Sequence, residues 1–289
     1  VKAKLKTALK LCLSVLIIWL VLRSIDERQL LVVMQQANVW WLLWAVVWFT
    51  VSKIIAAYRF NALLATEKIQ LSDRQNLRLY WLGMYYNLLL PGGISGDGYK
   101  IKLLMDAYGA SFKRLFAVTL LDRLGGVIAL GQLCLMLAFG IPALQPWWWL
   151  GMSGLVVSVP VSWWIYQRLG GELSSVWQRT SLMSLAVQGA QLVATLGIVL
   201  ALGEQSRWLE YSVLFLVSSV VAMLPLTIGG TGARELTFLW GAVFLNIDSE
   251  KAVAIAFLFY LISTAVAMVG IVFSFDEKLE SGKEGGAAK

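Results

Sequence analysis

Two Gly- and Pro-rich decapeptides, 134 positions apart, carry the groups in this chain best placed to do chemistry. The first runs from Pro91 through Gly96, Asp97 and Gly98 to Lys100. The second runs from Pro225 through Gly230 and Gly232 to Arg234, with Glu235 next. Pro, Ile, Gly, Gly and a closing cation coincide in register. Glycines let backbone turn sharply and approach a ligand closely. A helix that starts after such a loop aims unpaired N–H groups and partial positive charge at the loop. Lys100 and Arg234 add a full charge there, which makes a ready anion site. Arg234 suits bidentate phosphate contact and Lys100 a point-charge contact. In a membrane the matching anions are a phospholipid and a polyprenyl phosphate. The alternative is internal neutralisation, Asp97 by Lys100 and Glu235 by Arg234.

A second pair, Asp122-Arg123, sits inside an apolar stretch. A charge at the centre of a spanning helix costs about 2.5–3.5 kcal/mol on insertion scales, so both side chains face protein or water. Adjacent helical residues point about 100° apart, so each needs its own partner. Arg123 is expected to pair with Asp97, and Asp122 with Lys53 or Arg234. A fixed ion-pair network between helices and a substrate or gating role remain equal alternatives. Lys53 also fits snorkelling to an interface. Arg59, near a span end, is assigned no function, and Glu204, Arg207 and Glu210 are expected to be solvated.

Composition dictates what holds these groups. The 289 residues are 59% hydrophobic and 14% charged, against about 45–50% and 25% in soluble domains. The pattern predicts an all-α polytopic membrane protein. Spans are expected at roughly 8–23, 39–62, 115–140, 147–167, 180–202 and 252–274, each near the required ~20 residues. Shorter runs, 77–91 and 211–228, end in the two decapeptides, and 99–110 and 233–246 follow as returning half-helices. Shifting the first half by 134 overlays these segments on the second. The expected plan is therefore two inverted-topology repeats, each of three spans plus a re-entrant hairpin. The first repeat covers 1–142, with its hairpin at about 77–110. The second covers 143–276, with its hairpin at about 211–246. A disordered polar tail follows at 277–289. An excess of Lys and Arg in alternate loops puts both termini in the cytoplasm. The formal charge of +7 then reports topology, not nucleic-acid binding. Trp40, Trp41, Trp44 and Trp147–Trp149 fit interfacial belts.

The chain has no histidine, which excludes His-ligated metals and the common hydrolase triads. Cys12 and Cys134 lie in apolar runs and read as buried small residues. No cofactor is expected.

Asn87-Leu-Leu-Leu-Pro91-Gly-Gly-Ile-Ser-Gly96-Asp97, then Asp122-Arg123, then Pro225-Leu-Thr-Ile-Gly-Gly230-Thr-Gly232-Ala-Arg-Glu235, resembles the flippase-like membrane region of lysylphosphatidylglycerol synthases. The resemblance runs from about 5 to 275. It implies a membrane region that moves a phospholipid, aminoacylated ones included, between leaflets. Asn87, Pro91, Gly96, Asp97, Asp122, Arg123, Pro225, Gly230, Gly232 and Glu235 match its motif positions, and Lys100 and Arg234 complete the candidate substrate site. The family often carries Glu-Arg with an acid three residues later; here the pair is Asp122-Arg123 and position 126 is Gly. The resemblance further implies a stand-alone member without the aminoacyltransferase domain, in a bacterial inner membrane. The expected function is a non-enzymatic flippase or scramblase for a phosphate-bearing lipid. Two alternatives stand beside it. One is an intramembrane enzyme using Asp97 or Glu235 as acid or base. The other is a non-transporting partner of a lipid-modifying enzyme. The expected partners are a phospholipid or polyprenyl-phosphate lipid and the membrane, with a homo-oligomer or a lipid-modifying enzyme beside them.

Overall fold

The computed structural model describes residues 32–89, 95–223 and 232–274. The expected span at 8–23, the tail at 277–289, and Pro91, Pro225 and Gly230 lie outside these residues.

The described residues fold into helices without strands. We label them α1 (Val39–Ala65), α2 (Asp73–Leu89), α3 (Ser95–Tyr108), α4 (Phe112–Ala138), α5 (Trp148–Leu169), α6 (Trp177–Ala201), α7 (Trp208–Met223), α8 (Ala233–Leu245), α9 (Ser249–Met268) and the short α10 (Ile271–Ser274). Five helical stretches among the described residues are long and apolar enough to cross a membrane: Val39–Ala65, Phe112–Ala138, Pro142–Leu169, Glu172–Ala201 and Ser249–Ser274. They coincide with the expected spans after the first. The two shorter runs become α2 and α7, and the returning half-helices become α3 and α8.

Local chemistry sets the ends. Asn38, Ser111 and Asp248 each cap a helix through a side-chain oxygen, accepting from Trp40, Arg114 and Lys251 N–H. Asn246 ends α8 in the left-handed conformation. Gly232 opens α8 at φ +83°, a backbone that glycine adopts without a Cβ clash.

α1 and α6 form the most extensive helix contact, and they run antiparallel. Asn38 N–H donates to the Ala201 carbonyl, Gly197 packs on Trp41 and Trp44, and Arg59 reaches Ser184. Several of the helix contacts recur in corresponding pairs. α2 packs on α3 as α7 does on α8; α3 on α4 as α8 on α9; α4 on α7 as α9 on α2; α1 on α2 as α6 on α7. α4 against α6 matches α9 against α1.

The larger buried apolar cluster joins Phe49 of α1, Ile198 of α6, Tyr211 and Phe215 of α7, Phe238 of α8 and Phe259 of α9. A second gathers Phe60, Leu64, Leu79, Leu104, Leu121 and Tyr166. By contrast α5 is largely exposed, with Trp148, Trp149, Trp163 and Trp164 facing outward. That is an ordinary face for a helix solvated by lipid.

One corner departs from expectation. Glu210 is buried and pairs with Arg207 at 2.8 Å, and Glu204 pairs with Lys251 at 3.1 Å. Glu204 ties the α6–α7 loop to α9 and Glu210 is held inside the first turn of α7, while Arg207 stays exposed as expected. Burial alone would raise the Glu204 carboxyl, but hydrogen bonds from Ser206 and the Lys251 ammonium bring it down to about 2.

Candidate functional site

The tightest approach in the first hairpin fixes the site's geometry. A methyl group at Gly96 would strike the Gly83 carbonyl oxygen, and one at Gly83 would sit 2.8 Å from Lys100 Cδ. Small residues at both positions let α2 and α3 cross almost backbone to backbone. The Asn87 side chain then accepts from Gly96 N–H at 2.9 Å, so α2 caps the start of α3. Asn87 and Gly96 thus hold the hairpin, and Gly96 does not line the cavity. Gly96→Ala is expected to lower stability by about 1–3 kcal/mol, the usual range for overpacking. Denaturation in detergent checks this; an unchanged protein would contradict the crossing.

Beside this hairpin lies a cavity of about 330 Å³ lined by seven helices. α1 supplies Lys53 and Arg59, α2 Tyr80 and Asn87, α3 Asp97 and Lys100, and α4 Asp122, Arg123 and Gly126. Gln188 and Gln191 come from α6, Ser219 from α7 and Arg234 from α8. Of the candidate residues, Asn87, Asp97, Lys100, Asp122, Arg123 and Arg234 therefore share one chamber. Glu235 and Gly232 do not line it. The Glu235 carboxylate accepts from Gly232 N–H at 2.8 Å, closing the first turn of its own helix.

Charge in the chamber is unevenly compensated. Arg59 Nε meets Asp122 Oδ1 at 2.8 Å, and Arg59 Nη1 donates to Ser184 Oγ at 2.9 Å. Asp97 takes Lys100 Nζ at 2.9 Å on one oxygen and Arg123 Nε on the other. The Lys100 ammonium also lies 4.2 Å above the Phe60 ring. Asp122 thus pairs with Arg59, not with Lys53 or Arg234 as the sequence suggested. Arg59 is buried and belongs to the site, although it lies near the end of α1. Helical phase explains this, because Lys53, Ala56 and Arg59 are spaced three apart and share one face. That spacing was the signal available in the sequence.

Lys53 and Arg234 differ from the other cations. Among the described residues no carboxylate lies within ion-pairing distance of either. Arg234 donates to Ser219 at 3.2 Å and Ser218 at 3.4 Å, and its guanidinium lies 4.8 Å from the Phe259 ring. Lys53 Nζ lies 4.4 Å from the Phe49 ring. Among the described residues, five basic side chains and two carboxylates face the chamber, an excess of three positive charges. Such an excess inside an apolar bundle suits an anionic ligand.

Position 126 also gains a meaning. A Cβ there would lie 3.8 Å from Arg59 Nη1, so an acid at this position could reach that guanidinium. In this chain Gln188 uses the space and donates to the Gly126 carbonyl at 3.3 Å.

The chain matches the family described as the lysylphosphatidylglycerol synthase TM region over residues 7–173 and 167–270. It belongs to that family. A Pyrococcus horikoshii protein described as "UPF0104 membrane protein PH1989" is 24% identical, in an alignment covering 77% of this chain and 82% of the relative. The motif resemblance seen in the sequence thus reflects membership of the lysylphosphatidylglycerol synthase TM region family. With its five long apolar helices, this family member is a multi-pass membrane protein.

Proposed function

We propose that this protein carries a phosphate-bearing lipid between membrane leaflets through the central cationic cavity. The uneven charge compensation of the cavity carries the reading. Asp97 and Asp122 are engaged by cations, and Glu235 by its own helix terminus. That leaves positive charge for a ligand and no unpaired carboxylate among these three to act as a general base. The paired contacts and the antiparallel α1/α6 core support two inverted repeats, 1–142 and 143–276, with the cavity at their junction. If each long helix crosses once and each hairpin returns, α1 and α6 cross in opposite directions, as their contacts require. Inverted repeats bind substrate near the midplane and expose it alternately as one half rocks against the other. Positive charge in alternate loops favours cytoplasmic termini, and the inner membrane of a bacterium suits the lipid class.

The test is movement of headgroup-labelled phospholipid in proteoliposomes, followed by analysis of the recovered lipid. The proposal expects translocation faster than in protein-free vesicles, with the lipid chemically unchanged. A modified lipid would favour an enzyme. Folded protein that moves no anionic phospholipid, aminoacylated phospholipid or polyprenyl phosphate would favour a partner subunit.

A further inference from the structure

We propose that Lys53 and Arg234 together form a site for a dianionic phosphate, selecting a phosphomonoester over a phosphodiester. The two cations stand on one aromatic shelf. Lys53 lies over Phe49, Phe49 meets Phe259 edge-to-face at 5.4 Å between centroids, and Arg234 lies over Phe259. Phe215 completes the shelf, 4.7 Å from Phe259 and 5.6 Å from the guanidinium. Aromatic faces stabilise the two like charges but do not neutralise them. Among the described residues the other three cations meet the two carboxylates Asp97 and Asp122, whereas Lys53 and Arg234, at this pole of the cavity, meet none.

Hydrogen-bond donors surround the same pole. Ser219 touches Arg234 and lines the cavity, and Gln191 lines it from α6 with no side-chain hydrogen bond to protein among the described residues. A phosphomonoester carries close to two negative charges at neutral pH and three free acceptor oxygens. It can therefore engage the ammonium, the guanidinium fork and the neutral donors together. A diester offers one charge and two free oxygens, and leaves one cation without a counter-charge in an apolar bundle, where that is costly. Lys100, the point charge expected from the sequence, is occupied by Asp97 and has no part in this pole.

The inference rests on the transport reading only for the source of the phosphate, a lipid headgroup. A free phosphate would satisfy the same chemistry. The experiment measures binding of chain-matched phosphatidic acid and phosphatidylmethanol to the purified protein in detergent, by titration of the melting temperature. The two probes share the phosphate and differ by one ionisation. The expected result is at least about tenfold tighter binding of phosphatidic acid, the scale of one added charge-assisted contact. Lys53→Gln should abolish the preference while retaining phosphatidylmethanol binding, and Lys53→Arg should restore it. Inorganic phosphate that displaces phosphatidic acid at equal concentration would assign the dianion to a soluble source; failure to displace would assign it to lipid. Equal affinity of the wild type for the two lipids overturns the site, and needs no variant to fold. Diester transport with no monoester preference would overturn this inference alone. Monoester binding without movement would overturn the transport reading alone.

Discussion

Asp122→Ala is expected to cost about 3–5 kcal/mol of stability, because it strands the Arg59 guanidinium in a buried site. Arg59 and Asp122 are 5% and 8% exposed, and their contact links α1 to α4 while Arg59 also reaches Ser184 on α6. Arg59 therefore ties α1, α4 and α6 together at one point. Removing both charges, as Arg59→Met with Asp122→Leu, should recover much of the loss, since a buried ion pair replaced by apolar groups is often neutral. Unfolding in detergent monitored by circular dichroism checks the pair of variants. A single variant as stable as wild type would mean that water reaches Arg59 freely, and the pair would then have no structural role.

Arg234→Gln should act in the opposite way, with little change in stability and loss of at least about 90% of lipid movement, the effect of losing about 1.4 kcal/mol or more of ligand stabilisation. Arg234 forms no carboxylate pair among the described residues, so its removal strands no acid there. Two serine hydroxyls lose a weak donor, and the Phe259 face loses a cation. Gln keeps a donor and some bulk while deleting the charge. Movement at the wild-type rate would remove the phosphate anchor from the account.

The fold was largely legible because its signals were long. Apolar runs of twenty or more residues admit one reading in a membrane. The two short apolar runs beside the Gly- and Pro-rich loops marked the places of α2 and α7. The site was legible in part. Asp97, Lys100, Asp122 and Arg123 stood out as charges where none is cheap, and Arg123–Asp97 was one of the pairings expected for them. Asp122's partner did not follow, because pairing across helices depends on rotation about each helix axis. Arg59 was hidden by its distance along α1, yet it faces inward. Lys53 was visible as a charge, but its shelf joins Phe49 to Phe259, residues 210 apart in the chain. Glu235 entered the candidate site as a motif position of the family resemblance. Its backbone bond to Gly232 depends on the glycine's positive φ, which sequence spacing does not reveal.

Alternating access requires the cavity to open to each side of the membrane in turn. Ala222 lines it from α7 and is small enough to replace without filling the space. The decisive measurement is labelling of Ala222→Cys, in protein with Cys12 and Cys134 changed to Ser, by a membrane-impermeant thiol reagent. Vesicles of both orientations would be compared, with and without phosphatidic acid. The account predicts labelling from both sides, slowed by the lipid. Labelling from one side only, at a rate the lipid does not change, would contradict alternating access and leave the cavity a closed structural feature.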